Sequence, residues 1–235
     1  MKKTIHKAAS RGFANHGWLK SYHTFSFANY FNPERMNFGM LRVLNDDIVQ
    51  PKMGFGTHPH KNMEIISIPI SGALSHKDSM NNQRSIEVGE VQVMSAGTGL
   101  THSEFNDSKT TETNFLQLWI IPEKNEVEPY YNQKRFNEAE RKNKFQTLVS
   151  PKDKQVEGSL PINQQGYISM IDLEEGFETA YELRNGAYFF LIDGAILAAD
   201  ETLEKRDALG IEGVQKVSIK AMKNSKLLVI DVPMS

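Results

Sequence analysis

The sequence predicts an all-β protein made of two barrel-like halves, and three observations carry that prediction. Apolar residues fall in runs of strand length, many of them alternating or rich in β-branched side chains. Gly, Asn, Asp and Pro punctuate those runs at short intervals, as turns between many short strands require. A polar, charge-rich segment near the middle separates two apolar-patterned parts. Short strands and frequent turns point to a sandwich or a closed barrel.

In chain order, "MLRVLNDDIV", "EIISIPISGALSHKD", "IEVGEVQVMSAG" and "NFLQLWIIP" read as strands of the first part. Residues 87–94 alternate polar and apolar, the pattern of one half-buried strand. From Pro122 to about Lys144 the chain turns polar, with Pro122 and Pro129. It reads as a solvated linker in which "RFNEAERKNKF" forms one short helix. Beyond it, "YISMIDL", "FETAYEL", "GAYFFLIDGAILAADETL", "KVSIKAM" and "KLLVIDVP" read as strands again. The expected layout is a first domain over residues 1–130, a linker or short helix over 131–144, and a second domain over 145–235. The similar size of the halves hints at duplication, although no repeat of residues is evident between them.

A chain of 235 residues can bury a sizeable core in one large domain or two small β domains. It has no cysteine, which excludes a disulfide framework, a thiolate nucleophile and a Cys-ligated cluster. Lys plus Arg is 27 against 29 for Asp plus Glu. That balance, with a pI near 6.4, argues against direct nucleic-acid binding and against an anionic membrane surface. The N-terminal "MKKTIHKAAS" has lysines but no apolar run of signal-peptide length behind them. No stretch approaches the roughly 20 apolar residues that span a bilayer. A cytoplasmic protein is expected.

All seven histidines lie at or before position 102, namely His6, His16, His23, His58, His60, His76 and His102. A histidine-based centre can therefore exist only in the first half. In a strand, residues two apart point to one face, so His58 and His60 in "GTHPHKNME" aim side by side while Pro59 points away. Proline there suits an outermost strand or a strand's first residues, where a missing N–H costs little. After the glycines of "SAGTGLTHSEF", His102 and Glu104 repeat the same spacing.

A lone His-x-His recurs by chance in loops. Two such pairs, each bracketed by glycine turns, form a donor set of three imidazoles and one carboxylate suited to a divalent transition metal. On an octahedral ion such a set leaves two positions open, whereas it would fill a tetrahedral zinc site and so disfavours a zinc hydrolase. Glu64 lies four residues past His60, so it reads either as a competing ligand or as a surface or supporting carboxylate, and the second reading is preferred. His76 reads as a strand-end or ligand-supporting histidine, and His23 as structural.

Three stretches, "GWLKSYHTFSFANY", "LRVLNDDIVQPKMGFGTHPHKNMEII" and "GEVQVMSAGTGLTHSEFN", resemble the bacterial pirins of the cupin superfamily. The resemblance covers residues 17–106 strongly and the second half only through hydrophobic patterning. It implies a bicupin, two double-stranded β-helix (jelly-roll) barrels in one chain, with a metal in the first barrel and none in the second. It implies His58, His60, His102 and Glu104 as the metal ligands. Fe(II) is the expected ion, with Zn, Mn, Ni, Cu or Co compatible. Two positions depart from the general cupin pattern: Lys52 stands where a glycine is expected, and Ser95 where a proline is expected.

Several bacterial pirins resemble quercetin 2,3-dioxygenases. The implied activity here is O2-dependent opening of a flavonol ring with release of CO, and Glu104 as the catalytic base for the 3-hydroxyl. The implied partners are a flavonol and O2, with the chain acting as a monomer. The resemblance also implies an alternative from another class, a redox-responsive metal-binding regulator that acts through a protein partner.

Overall fold

The computed structural model describes residues 1–235 and is built almost entirely of β-strands. No helix is long and apolar enough to cross a membrane. The first half is a seven-stranded antiparallel sheet closed by a four-stranded one. The large sheet runs, in spatial order, Tyr130–Arg135, Glu90–Ser95, Glu64–Ser71, Thr113–Ile120, Leu41–Val49, Leu19–His23 and Gly12–Asn15. The small sheet runs Gly54–His60, Leu100–Phe105, Ala73–Asp78 and Gln83–Glu87.

The second half repeats this plan. Its large sheet runs Lys2–His6, Ala208–Glu212, Gly186–Asp193, Ser225–Val232, Tyr167–Leu173, Gln146–Pro151 and Leu160–Ile162. Its small sheet runs Glu178–Glu182, Lys216–Ala221, Ala195–Ala198 and Glu201–Glu204. From Leu41 and from Tyr167 onward, eight successive strands occupy matching places in the two halves. The chain is thus a bicupin.

Strand alternation gives each large sheet two buried faces. The outer faces pack against one another and form a shared core of 25 buried residues, among them Leu44, Ile66, Leu118, Ile168, Tyr188 and Leu228. At ~1.5–3 kcal/mol for each large apolar side chain buried, this layer holds the halves together as one body. The inner faces differ. The second barrel is filled by 16 apolar residues, including Phe189, Leu209 and Ile219. The first has apolar plugs at its two ends, one around Leu74, Ile86 and Phe115, the other around Ile65, Met94 and Leu100. Between the plugs its interior is polar.

Several expectations are corrected here. The helix expected in "RFNEAERKNKF" does not form. Tyr130–Arg135 is a strand that pairs with Glu90–Ser95, and only a 3-10 turn follows, Glu138–Arg141. Asn137 caps that turn by accepting from the Ala139 N–H, and Asn143, at φ 53°, ends it. The first sheet therefore extends past residue 130, while Lys2–His6 pairs in the second half's sheet. The run over residues 87–94 is not one strand, because Gly89, at φ 86°, turns the chain between Gln83–Glu87 and Glu90–Ser95.

Glu64 is neither a ligand nor a surface residue. The loop at Asn62 (φ 51°) breaks the run from His60, so Glu64 starts a new strand on the opposite face. It is fully buried at the junction of the halves. There it accepts from Ser95 Oγ at 2.6 Å and from the Asn163 backbone N–H at 3.2 Å. Ser95, the residue in place of the expected proline, is directly opposite Glu64 in register. Its hydroxyl supplies a donor that proline cannot. A second junction lies at Asp46, which pairs with both Arg11 and Arg206 at 3.2 Å.

Candidate metal centre

Strand Gly54–His60 is the outermost strand of the small sheet. Pro59 is exposed on it and faces Thr101, while His58 lies directly opposite His102. The three imidazoles His58, His60 and His102 converge, with ring centroids 4.4–4.8 Å apart. His58 Nδ1 sits 2.8 Å from the Gly56 carbonyl. A donor bond there leaves Nε2 as the ligating nitrogen.

Glu104 lies on the same face of its strand as His102, two residues on, and the register with Ala73–Asp78 is unbroken across them. The irregularity is on the other strand, where Gly56 and Thr57 together oppose Ser103. Glu104 gathers with His76, opposite it in register, and with His102. The expected set of four is arranged as two triples that share His102: His58, His60, His102 and His76, His102, Glu104, each with donor atoms within 4.8 Å. His76 is not at a strand end. It is buried in mid-strand, and its Nε2 bonds Asp78 Oδ2 at 3.0 Å.

Two residues not singled out in the sequence hold Glu104. Gln117 Nε2 donates to its Oε2 at 2.8 Å, and Ser67 Oγ to its Oε1 at 3.3 Å. Both are explained by register. Asn45, Gln117, Ser67 and Gln92 stand opposite one another across four neighbouring strands, forming a polar row under the small sheet. The available signal was a single glutamine at an inward position of the apolar run "NFLQLWI".

Burial sets the charge states. It pushes His102 down to about 2, with the neighbouring charges of His58, His60 and His76 adding to the effect. Burial and the charge of His58 push His60 down to about 4. Burial raises the Glu104 carboxyl, and Gln117, His76, His58 and Ser67 pull it part of the way back. His60 and His102 are therefore neutral, with lone pairs free, as metal ligation requires. Both ring nitrogens of His102 are buried without any partner, an arrangement that buried polar groups avoid. The donors fit a divalent metal, which would give His102 the partner the protein does not. In the matching strand of the second barrel the inward positions are Val217, Ile219 and Ala221, which offer no donor.

The centre opens on one side to a cavity of about 360 Å³, within the size range of small-molecule sites. His58, His60, Glu104 and Gln117 lie on its inner wall. Aromatic rings make up much of the rest. Trp119 stands edge-on to His60 and Phe27, and Trp18 edge-on to Phe55. His23 lines this cavity rather than ligating, and His102 and His76 lie behind it.

The pirin family model matches residues 5–120, and the quercetinase C-terminal cupin domain model matches residues 147–232. A quercetin 2,3-dioxygenase of Escherichia coli (strain K12) is 40% identical over 97% of this chain and 98% of its own length. The chain belongs to the pirin family. Another pirin-like protein, from Caulobacter vibrioides, is 38% identical over 94% of this chain and 95% of its own length. Among solved structures, the bacterial pirin YhhW from E. coli in complex with nickel(II) aligns with a TM-score of 0.94 at 38% identity, covering 100% of both chains. A quercetin 2,3-dioxygenase from Acinetobacter baumannii aligns with a TM-score of 0.77 at 19% identity, over 99% of this chain and 80% of that one, a likeness of fold.

Proposed function

We propose that this pirin is a metal-dependent dioxygenase that opens the ring of flavonols such as quercetin with O2 and releases CO. The observation that carries the reading is the juxtaposition of a three-histidine, one-carboxylate donor set with an aromatic-walled cavity. His58, His60, His102 and Glu104 would hold the ion, with Fe(II) the expected metal. When bound, the metal supplies Lewis acidity toward the flavonol's 3-hydroxyl and 4-oxo oxygens. Two positive charges against one carboxylate favour an anionic ligand.

The chain's own residues do the rest. Trp119, Phe27, Trp18 and Phe55 flank the planar rings and exclude water from them. Glu104 takes the proton of the 3-hydroxyl by partly releasing the metal. Gln117 and Ser67 hold it in position as the proton arrives. O2 adds to the deprotonated ring, both its atoms stay in the ester product, and one ring carbon leaves with its oxygen as CO.

The test is aerobic turnover by purified, metal-loaded protein, read as loss of flavonol absorbance with stoichiometric CO. The wild type is expected to turn over quercetin, and His58→Ala to lose at least 100-fold of that rate, since one missing ligand typically removes activity and metal together. Wild-type protein loaded in turn with Fe, Ni, Mn, Co and Cu that leaves quercetin unchanged would overturn the reading.

A further inference from the structure

The first barrel's interior holds a second set of polar side chains that the chemistry above does not use. His23 stands directly opposite Asn45, and Asp47 opposite Ser21, on the neighbouring strands Leu19–His23 and Leu41–Val49. His23, Asn45 and Asp47 are 3%, 2% and 3% exposed, and all three line the cavity. His23 Nδ1 and Asn45 Oδ1 are buried without a partner. Ser21 Oγ donates to Asp47 Oδ1, and Asp47 Oδ2 accepts nothing from the protein.

Two of their neighbours are satisfied. Gln117, opposite Asn45, is committed to Glu104. Asp46, on the other face of the same strand, is held by Arg11, Arg206 and Asn114. Buried polar groups are nearly always paired, so two adjacent orphans on a cavity wall, with the Asp47 carboxyl beside them, mark a place for an external partner. Strand spacings put Asp47 roughly 8 Å beyond Gln117, about the reach of one further substituted ring. The apolar plug around Phe115, which is opposite Asp47 in register, closes the barrel beyond it.

We propose that His23, Asn45 and Asp47 form a subsite that reads hydroxyl groups on the substrate ring remote from the metal, and so selects polyhydroxylated arenes over unsubstituted ones. Phenolic O–H groups donate to Asp47 Oδ2 and Asn45 Oδ1, and an imidazole nitrogen of His23 takes the third contact. This inference rests on the flavonol reading for the placement of the other rings.

The test is anaerobic titration calorimetry on metal-loaded protein with two ligands. Quercetin carries ring hydroxyls, while 3-hydroxyflavone shares its 3-hydroxy-4-oxo group and lacks them. Wild type is expected to bind quercetin at least tenfold more tightly, about 1.4 kcal/mol. Asp47→Ala and Asn45→Leu are each expected to lose about tenfold for quercetin and less than twofold for 3-hydroxyflavone. Equal weakening of both ligands, or no weakening of either, overturns the subsite. Metal content and melting temperature check that each variant folds, and Asn45→Leu carries the comparison if Asp47→Ala does not. If wild type binds neither flavonol, the dioxygenase reading falls, and resorcinol titrated into metal-free protein decides the subsite separately. Saturable resorcinol binding that Asp47→Ala or Asn45→Leu abolishes supports it. Absent binding, or binding that both variants retain, overturns it.

Discussion

Replacing Gln117 with leucine probes the metal centre without touching a ligand. Leucine has a similar volume and keeps the inward position on Thr113–Ile120, but it removes the donor that meets Glu104 Oε2 at 2.8 Å. The remaining donor, Ser67 Oγ, is longer, at 3.3 Å. Glu104 is buried, and leucine offers it no donor. A hydrogen bond to a charged group contributes ~1.5–3 kcal/mol, which translates into roughly 10- to 100-fold weaker metal binding. Supporting partners of metal ligands act over the same range.

The sign with pH follows from the carboxyl. Burial already raises it, and losing Gln117 raises it further. Protons then compete with the metal up to a higher pH, so the variant's deficit grows as pH falls. Competition titration against a chelating dye at several pH values measures this, with thermal melting of metal-free protein as the folding control. Unchanged affinity together with unchanged pH dependence would refute the reasoning, and with it the assignment of Glu104 as a ligand.

Two further outcomes are expected. Ser95→Ala removes the 2.6 Å bond to the buried Glu64 and is expected to lower stability by ~1–3 kcal/mol. Urea unfolding measures it, with metal content unchanged. Burial, partly offset by the Ser21 bond and reinforced by the charges of Asp46 and Glu104, raises Asp47 from 3.8 to about 7. Between those values the folded protein keeps a proton that the unfolded chain has released, so rising pH weakens folding by about 4 kcal/mol through this group. Asp47→Asn does not titrate. Its stability relative to wild type is expected to climb from pH 4 to 7 and then level off, and a constant difference across urea midpoints in that range would contradict the burial argument.

The candidate donor cluster was legible because its information is local. His58 with His60, and His102 with Glu104, are each set two apart on a strand, so alternation alone puts each pair on one face. Gln117, Ser67 and Asn45 were not legible, because they become neighbours only through the register of four strands far apart in sequence. Alternation also misplaced Glu64: counting four from His60 assumes an unbroken strand, and a single left-handed residue at Asn62 cancels the count. The duplication of the two barrels showed in the size of the halves but not as a repeat of residues, for a related reason. One interior is polar around a donor set and the other is filled with hydrocarbon, so matching positions hold chemically opposite residues. The short helix shrank to a single 3-10 turn because Asn137 caps it at one end and Asn143, in the left-handed region, ends it at the other.

The first residues of the chain complete the second barrel: Lys2 pairs with Glu212 and His6 with Ala208. They are made long before the partners they pair with, and a contact of such high order is slow to form. Until it forms, the backbone of Ala208–Glu212 offers an open row of donors and acceptors to any extended chain, its own copies included. Removing residues 1–6 would make that state permanent. A truncated protein would keep every side chain of the candidate centre intact and still be prone to aggregate, so loss of activity on N-terminal trimming would report on assembly rather than on catalysis.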